Sequence, residues 1–117
     1  MKKHRVTPLE VMEIEFIDRT ISFCFDMQAI AKIQDTFGAI DDLIKNKNKF
    51  EMAAIMLWAG VKDDDFTLDE AKVIISSSTD VLVDTLSITT DSIIKLGGDT
   101  NGKKIQEEIE KAMKKMN

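Results

Sequence analysis

The sequence predicts an α+β domain: an N-terminal β-hairpin packed on a mostly helical body, then a Gly-rich joint and a C-terminal amphipathic helix. Three observations predict it. Strict alternation of apolar and polar residues is confined to Met12–Phe25, apolar residues at helical spacing dominate from Met27 to Leu96, and "GGDTNG" at 97–102 places three glycines in six residues. The chain divides accordingly into an N-terminal extension at 1–11, a single domain at 12–97, and a hinge with a helical tail at 98–117.

In "VMEIEFIDRTISFCF", Met12, Ile14 and Phe16 alternate with Glu13 and Glu15, and Ile21, Phe23 and Phe25 alternate with Ser22 and Cys24. Two strands joined by a tight connection near Asp18, Arg19 and Thr20 are expected. An isolated hairpin is marginal in water, so helices must cover its apolar face. Asp26 is placed to accept from the free N–H groups of a helix starting at Met27, which carries Ile30, Ile33 and Phe37 before Gly38 closes it in a left-handed conformation. Ile40, Leu43 and Ile44 mark a second short helix. After the polar "KNKNK", the run "MAAIMLWA" from Met52 to Ala59 is apolar on every side, which predicts a central core helix with Met52, Met56 and Trp58 inside it.

An acidic loop, "VKDDDF", leads to Thr67 and Glu70 at capping-box spacing, with Leu68, Ala71 and Ile75 forming the inward stripe of the next helix. Asp80 is placed to start a further helix carrying Leu82, Val83, Leu86, Ile93 and Ile94. Beyond the joint, Ile105, Ile109, Ala112 and Met116 recur at helical spacing beside Met113, and Glu107 with Lys111 and Glu110 with Lys114 form i,i+4 pairs. This amphipathic stripe either docks back on its own domain or is offered to a partner, so Ile105, Ile109, Ala112, Met113 and Met116 are the candidate partner-binding residues.

Composition narrows the chemistry. A chain of 117 residues buries roughly 65% of the surface its unfolded form exposes, enough for a real core. The net charge is −5, but residues 13–97 carry eight basic side chains against sixteen acidic ones. An acidic body repels phosphate, so neither nucleic acid nor an anionic membrane is an expected partner. The longest apolar run is eight residues, well short of the ~20 that a spanning helix needs. Lys2, Lys3 and Arg5 are not followed by an apolar segment, and Cys24 is the single cysteine, which together suit a reducing, cytoplasmic setting.

Candidate catalytic groups are few. His4 is the single histidine and lies in a polar terminal stretch. Nothing close to Cys24 in sequence would lower its pKa, which favours a small, partly buried side chain over a reactive thiol. A calcium loop beginning at Asp63 requires glycine at its sixth position and glutamate at its twelfth, where Leu68 and Ile74 stand. The Asp63–Asp65 cluster therefore reads as a solvated loop feeding negative charge to a helix N-terminus, and no catalytic, metal or cofactor site is expected.

The order of these pieces resembles a family. A hairpin, then "FDMQAIAKIQDTFG", a polar break, "AAIMLWAGVKDDD" and an acidic-capped helix at "TLDEAKVII" is similar to the tail assembly chaperones of long-tailed phages and prophages, particularly those of Gram-positive hosts. The marks are Phe25, Phe37, Gly38, Leu57, Trp58, Ala59, Gly60 and Asp63 to Asp65, within a resemblance spanning 12–97. It implies a non-enzymatic protein of the host bacterium's cytoplasm that binds the tape measure protein, assists recruitment of tail tube protein subunits, and is absent from the finished virion. Coating a long partner calls for many copies, which makes a homo-oligomer compatible with that role. The alternative reading is a small helical adaptor or antitoxin-like regulatory protein that presents residues 103–116 to its partner.

Overall fold

A computed structural model of the protein describes residues 2–6 and 8–97, and the fold is α+β as the sequence predicts. Strands β1 (Met12–Phe16) and β2 (Arg19–Phe23) form an antiparallel hairpin, followed by helices α1 (Met27–Phe37), α2 (Ile40–Asn46), α3 (Lys49–Gly60), α4 (Leu68–Ser77) and α5 (Thr79–Gly97). The joint and the tail stripe of Ile105, Ile109, Ala112, Met113 and Met116 lie outside the described residues.

Hairpin register pairs Met12 with Phe23, Ile14 with Ile21 and Phe16 with Arg19, so one face gathers the apolar side chains of both strands. The turn is shorter than expected. Only Ile17 and Asp18 lie outside the ladder, and Arg19 opens β2 rather than belonging to the connection. Ile17 takes φ 57°, an uncommon angle for a β-branched residue but one that a two-residue hairpin imposes at its first central position.

Arg19 falls on the apolar face of the hairpin, where its guanidinium bridges two carboxylates. Its Nη1 lies 3.1 Å from Asp65 Oδ2 and its Nη2 3.0 Å from Glu70 Oε2, with the guanidinium carbon 5.7 Å from the centre of the Phe66 ring. Glu70 does double duty, because its Oε1 also accepts from the Thr67 N–H at 3.1 Å while Thr67 Oγ1 accepts from the Glu70 N–H. The capping box predicted at Thr67 is thus present, and it also anchors the hairpin. On the other side, the Cys24 N–H donates to Gly60 O at 3.0 Å and Phe23 bridges Val61, so the end of β2 is tied to the end of α3.

Helix α3 sits at the centre, touching α1, α4 and α5, with Met52, Met56 and Leu57 fully enclosed. Its apolar circumference demanded that position. Trp58 is the exception: it is half-buried at the rim, edge-on to Phe37 with centroids 6.0 Å apart, and Lys32 Nζ sits 4.1 Å above its ring. The indole covers the seam between α1 and α3 instead of filling the core.

The α1 boundaries are as punctuated as the sequence suggested. Asp26 Oδ1 accepts from the Ala29 N–H at 3.0 Å and from Lys62 Nζ at 2.7 Å. Gly38 has positive φ, but its angles of 92° and −155° place it in an extended mirror region open essentially to glycine, not in the left-handed helical well expected for a closing residue. Helix α5 differs more. Its cap is Ser78, whose Oγ accepts from the Val81 N–H at 3.2 Å, so Asp80 lies in the first turn rather than before it. Along the helix Val83 faces solvent, and Thr85 and Thr89 are buried alongside Leu82, Leu86 and Ile93.

Candidate functional site

A groove of about 400 Å³ runs between β1 and the junction of α4 with α5. All five residues of β1 form one wall; Ile74, Ser77 and Ser78 close the end, and Asp80, Val81 and Asp84 on the first turns of α5 form the other wall. A smaller hollow of about 270 Å³, lined by Glu10, Val11, Met12, Asp84, Ser87 and Ile88, continues it along α5. The floor is apolar, with Ile14 and Ile74 buried and Met12, Phe16 and Val81 half-buried. Around it stand Glu10, Glu13, Glu15, Asp80 and Asp84, and among the described residues no lysine or arginine lines either hollow.

The sequence produces this wall in two ways. Glutamates alternate with apolar residues along β1, so the strand shows carboxylates outward and Ile14 inward. Ser78 ends α4 and caps α5 at once, so the two helices meet at one residue and the first turn of α5 is brought up opposite the hairpin.

The two edges of the hairpin are not equivalent. The outer edge of β2 is partly occupied by the Gly60–Val61 segment. That of β1 has no backbone partner among the described residues. In a hairpin with a two-residue turn, the pairs Phe16–Arg19, Ile14–Ile21 and Met12–Phe23 exchange the ladder hydrogen bonds. Glu13 and Glu15 therefore direct their N–H and C=O groups away from β2, toward the open side.

The residues weighed as chemical candidates lie elsewhere. His4 is exposed in the N-terminal stretch. Cys24 is half-buried past the end of β2, and its thiol is raised above the usual cysteine range by burial first and by the nearby Asp26 charge second, with Lys62 partly opposing. That keeps it in the protonated, weakly nucleophilic form. In the acidic loop Asp65 is held by Arg19, and the Asp63 carbonyl accepts from the Phe66 N–H at 3.1 Å. Among the described residues, no three side chains of metal-ligating type converge. The candidate partner-binding residues of the tail, Ile105, Ile109, Ala112, Met113 and Met116, lie outside the described residues.

The groove itself was not foreseen. Glu13 and Glu15 were legible as the polar positions of a strand, but their meeting with Asp80 and Asp84 is a tertiary event between segments far apart in sequence. Among the described residues no helix is long and apolar enough to cross a membrane. No protein-family model, curated protein or solved structure matches the chain.

Proposed function

We propose that this protein is a tail assembly chaperone of a long-tailed phage or prophage, working by contact alone. It binds the tape measure protein, keeps it soluble, and assists recruitment of tail tube subunits, in the cytoplasm of the host bacterium and without remaining in the finished virion. Two kinds of support meet here. The residue pattern from Phe25 to Asp65 resembles that family, and the observation that carries the reading is the groove beside β1, an apolar floor with an unpaired strand edge and a ring of carboxylates. Such a surface offers both burial and main-chain hydrogen bonds to another polypeptide. The acidic body also repels copies of itself at long range, which suits a protein that must stay dispersed while holding an apolar client.

Co-expression tests the proposal. The long helical protein encoded beside this gene should be insoluble alone and soluble in the presence of this chain, and the two should co-elute on size exclusion. A neighbour that is soluble by itself, or that elutes apart from this chain, overturns the assignment.

A further inference from the structure

We propose that the outer edge of β1 is a strand-addition site for an extended, basic segment of a partner protein, one in which Lys or Arg alternates with aliphatic residues. The inference rests on the reading of the chain as a binding protein and specifies the chemistry of what it binds.

Three observations on one strand lead there. The backbone groups of Glu13 and Glu15 point away from β2 and have no backbone partner among the described residues, and an unpaired edge is a ready template for another strand. Next to that edge lies the groove of about 400 Å³, with Ile14, Phe16, Ile74 and Val81 among its lining residues. Finally, Glu13, Glu15, Asp80 and Asp84 line it, and no lysine or arginine among the described residues does.

Charge decides the occupant. Pairing two copies of β1 edge to edge would set glutamate against glutamate, and like charges directly opposite each other in a ladder are unfavourable. The edge is therefore protected from self-association and open to a strand of opposite sign. Period-two alternation fixes the rest: basic residues opposite Glu13 and Glu15 share the outward face with those carboxylates, and the aliphatic residues between them turn down over Ile14 and Val81. Asp80 and Asp84 on the far wall deepen the negative field around the added strand. A helix laid in the same groove would leave the backbone groups of Glu13 and Glu15 unused, which favours the extended form.

The full chain is titrated with a blocked peptide of alternating lysine and valine, about nine residues long so that it overruns β1 at about 3.3 Å per residue. Two isomers are compared, one N-methylated at every lysine and one at every valine. The added strand runs antiparallel to β1, and with lysines opposite Glu13 and Glu15 in that ladder it is the lysine N–H groups that point at β1. Methylating them should weaken binding about tenfold or more through lost main-chain hydrogen bonds, whereas the valine-methylated isomer should bind like the parent. The doubly substituted chain Glu13→Lys/Glu15→Lys, confirmed as folded by its melting curve, should lose binding to a similar degree, and added salt should weaken the parent complex.

Equal binding of both methylated isomers, or undiminished binding by the doubly substituted chain, overturns the proposal. So does an approximately tenfold gain on replacing Lys103, Lys104, Lys111, Lys114 and Lys115 by glutamine, which would make the chain's own tail the occupant. A dimer at working concentration that disappears in Glu13→Lys/Glu15→Lys would assign the edge to a second copy and overturn it equally. If the peptide fails while the co-expressed complex of the preceding section forms, the chaperone reading stands and only the strand-addition mode falls.

Discussion

Replacing Gly60 by alanine should destabilise the protein, although local propensity argues the opposite. Gly60 is the last residue of α3, and its φ is not positive, so alanine fits the backbone. In an exposed helix that exchange gains about 1 kcal/mol. Here a Cβ would meet the Phe23 ring, with Cδ1 at 2.5 Å and Cε1 closer still, and the Cys24 carbonyl oxygen at 3.2 Å. Comfortable carbon–carbon separation is about 3.5–4.0 Å, so the overlap with the ring is at least ~1 Å. The ring has little room to yield: Phe23 is wholly buried, packs on Phe25 with centroids 6.5 Å apart, and its backbone bridges Val61. Overpacking of this kind costs about 1–3 kcal/mol, and the upper end applies because both a ring and a carbonyl must move. With the propensity gain subtracted, the expected net loss is about 2 kcal/mol, or roughly 8 °C in Tm at about 4 °C per kcal/mol for a domain of this size. Urea and thermal unfolding followed by far-UV circular dichroism would read it, with an unchanged m value marking a pure stability effect. The double variant Gly60→Ala/Phe23→Leu should lose less than the sum of the two single changes, because the smaller side chain removes the clash. A Tm for Gly60→Ala equal to or above the parent's would refute the close approach of β2 to α3.

Gly38→Ala should also lose stability, by about 1–3 kcal/mol from backbone strain alone, since nothing lies within 4 Å of the added methyl; an unshifted thermal melt would contradict the mirror-region geometry. Ile17→Asn should do the reverse, gaining about 1 kcal/mol, because asparagine tolerates positive φ and Ile17 is 85% exposed; a lower urea midpoint would show that the isoleucine makes a contact that outweighs its strain. Asp26 is affected by burial, which pushes its carboxyl up, but the hydrogen bonds from Lys62 and from the Ala29 N–H outweigh that and leave its pKa below the usual aspartate range. Its contribution is therefore present above the unfolded pKa of about 4 and disappears as pH falls through the lower folded value. Asp26→Asn keeps a capping acceptor and should shrink the difference in Tm between neutral and strongly acidic solution, whereas Asp26→Ala should cost about 1 kcal/mol more at neutral pH for the lost cap. Equal pH dependence in Asp26→Asn and the parent would argue against the pair with Lys62.

Much of the fold could be read locally because its signals act over a few residues. The hairpin followed from period-two alternation, α1 from Asp26 and Gly38, α4 from the Thr67–Glu70 box, and the position of α3 from its uniformly apolar run. Misreadings occurred where two local signals competed or where packing chose between them. Asp80 has a good capping side chain and is the expected start of α5, yet the hydrogen bond from the Val81 N–H goes to Ser78 two residues earlier. Trp58 has a core-like side chain, yet its ring N–H and cation-accepting face suit the rim, where Lys32 sits over it. Arg19 lay on the apolar face of β2 by register, and no short-range pattern says that Asp65 and Glu70 would arrive to meet it. The groove belongs to the same class: its walls come from β1 and from α5, and only the folded chain makes them neighbours.

The central placement of α3 bears on how the molecule opens. Three other helices lean on this one cylinder, so none of its interior amides can reach solvent without loosening all of them. Deuterium uptake at Ala53 through Leu57 should therefore report whole-molecule unfolding, with protection close to the global free energy. The hairpin's free margin stands outside that cooperative unit. Amides of Glu13 and Glu15 should exchange orders of magnitude sooner, giving one chain a rigid hub and a fast-breathing lip.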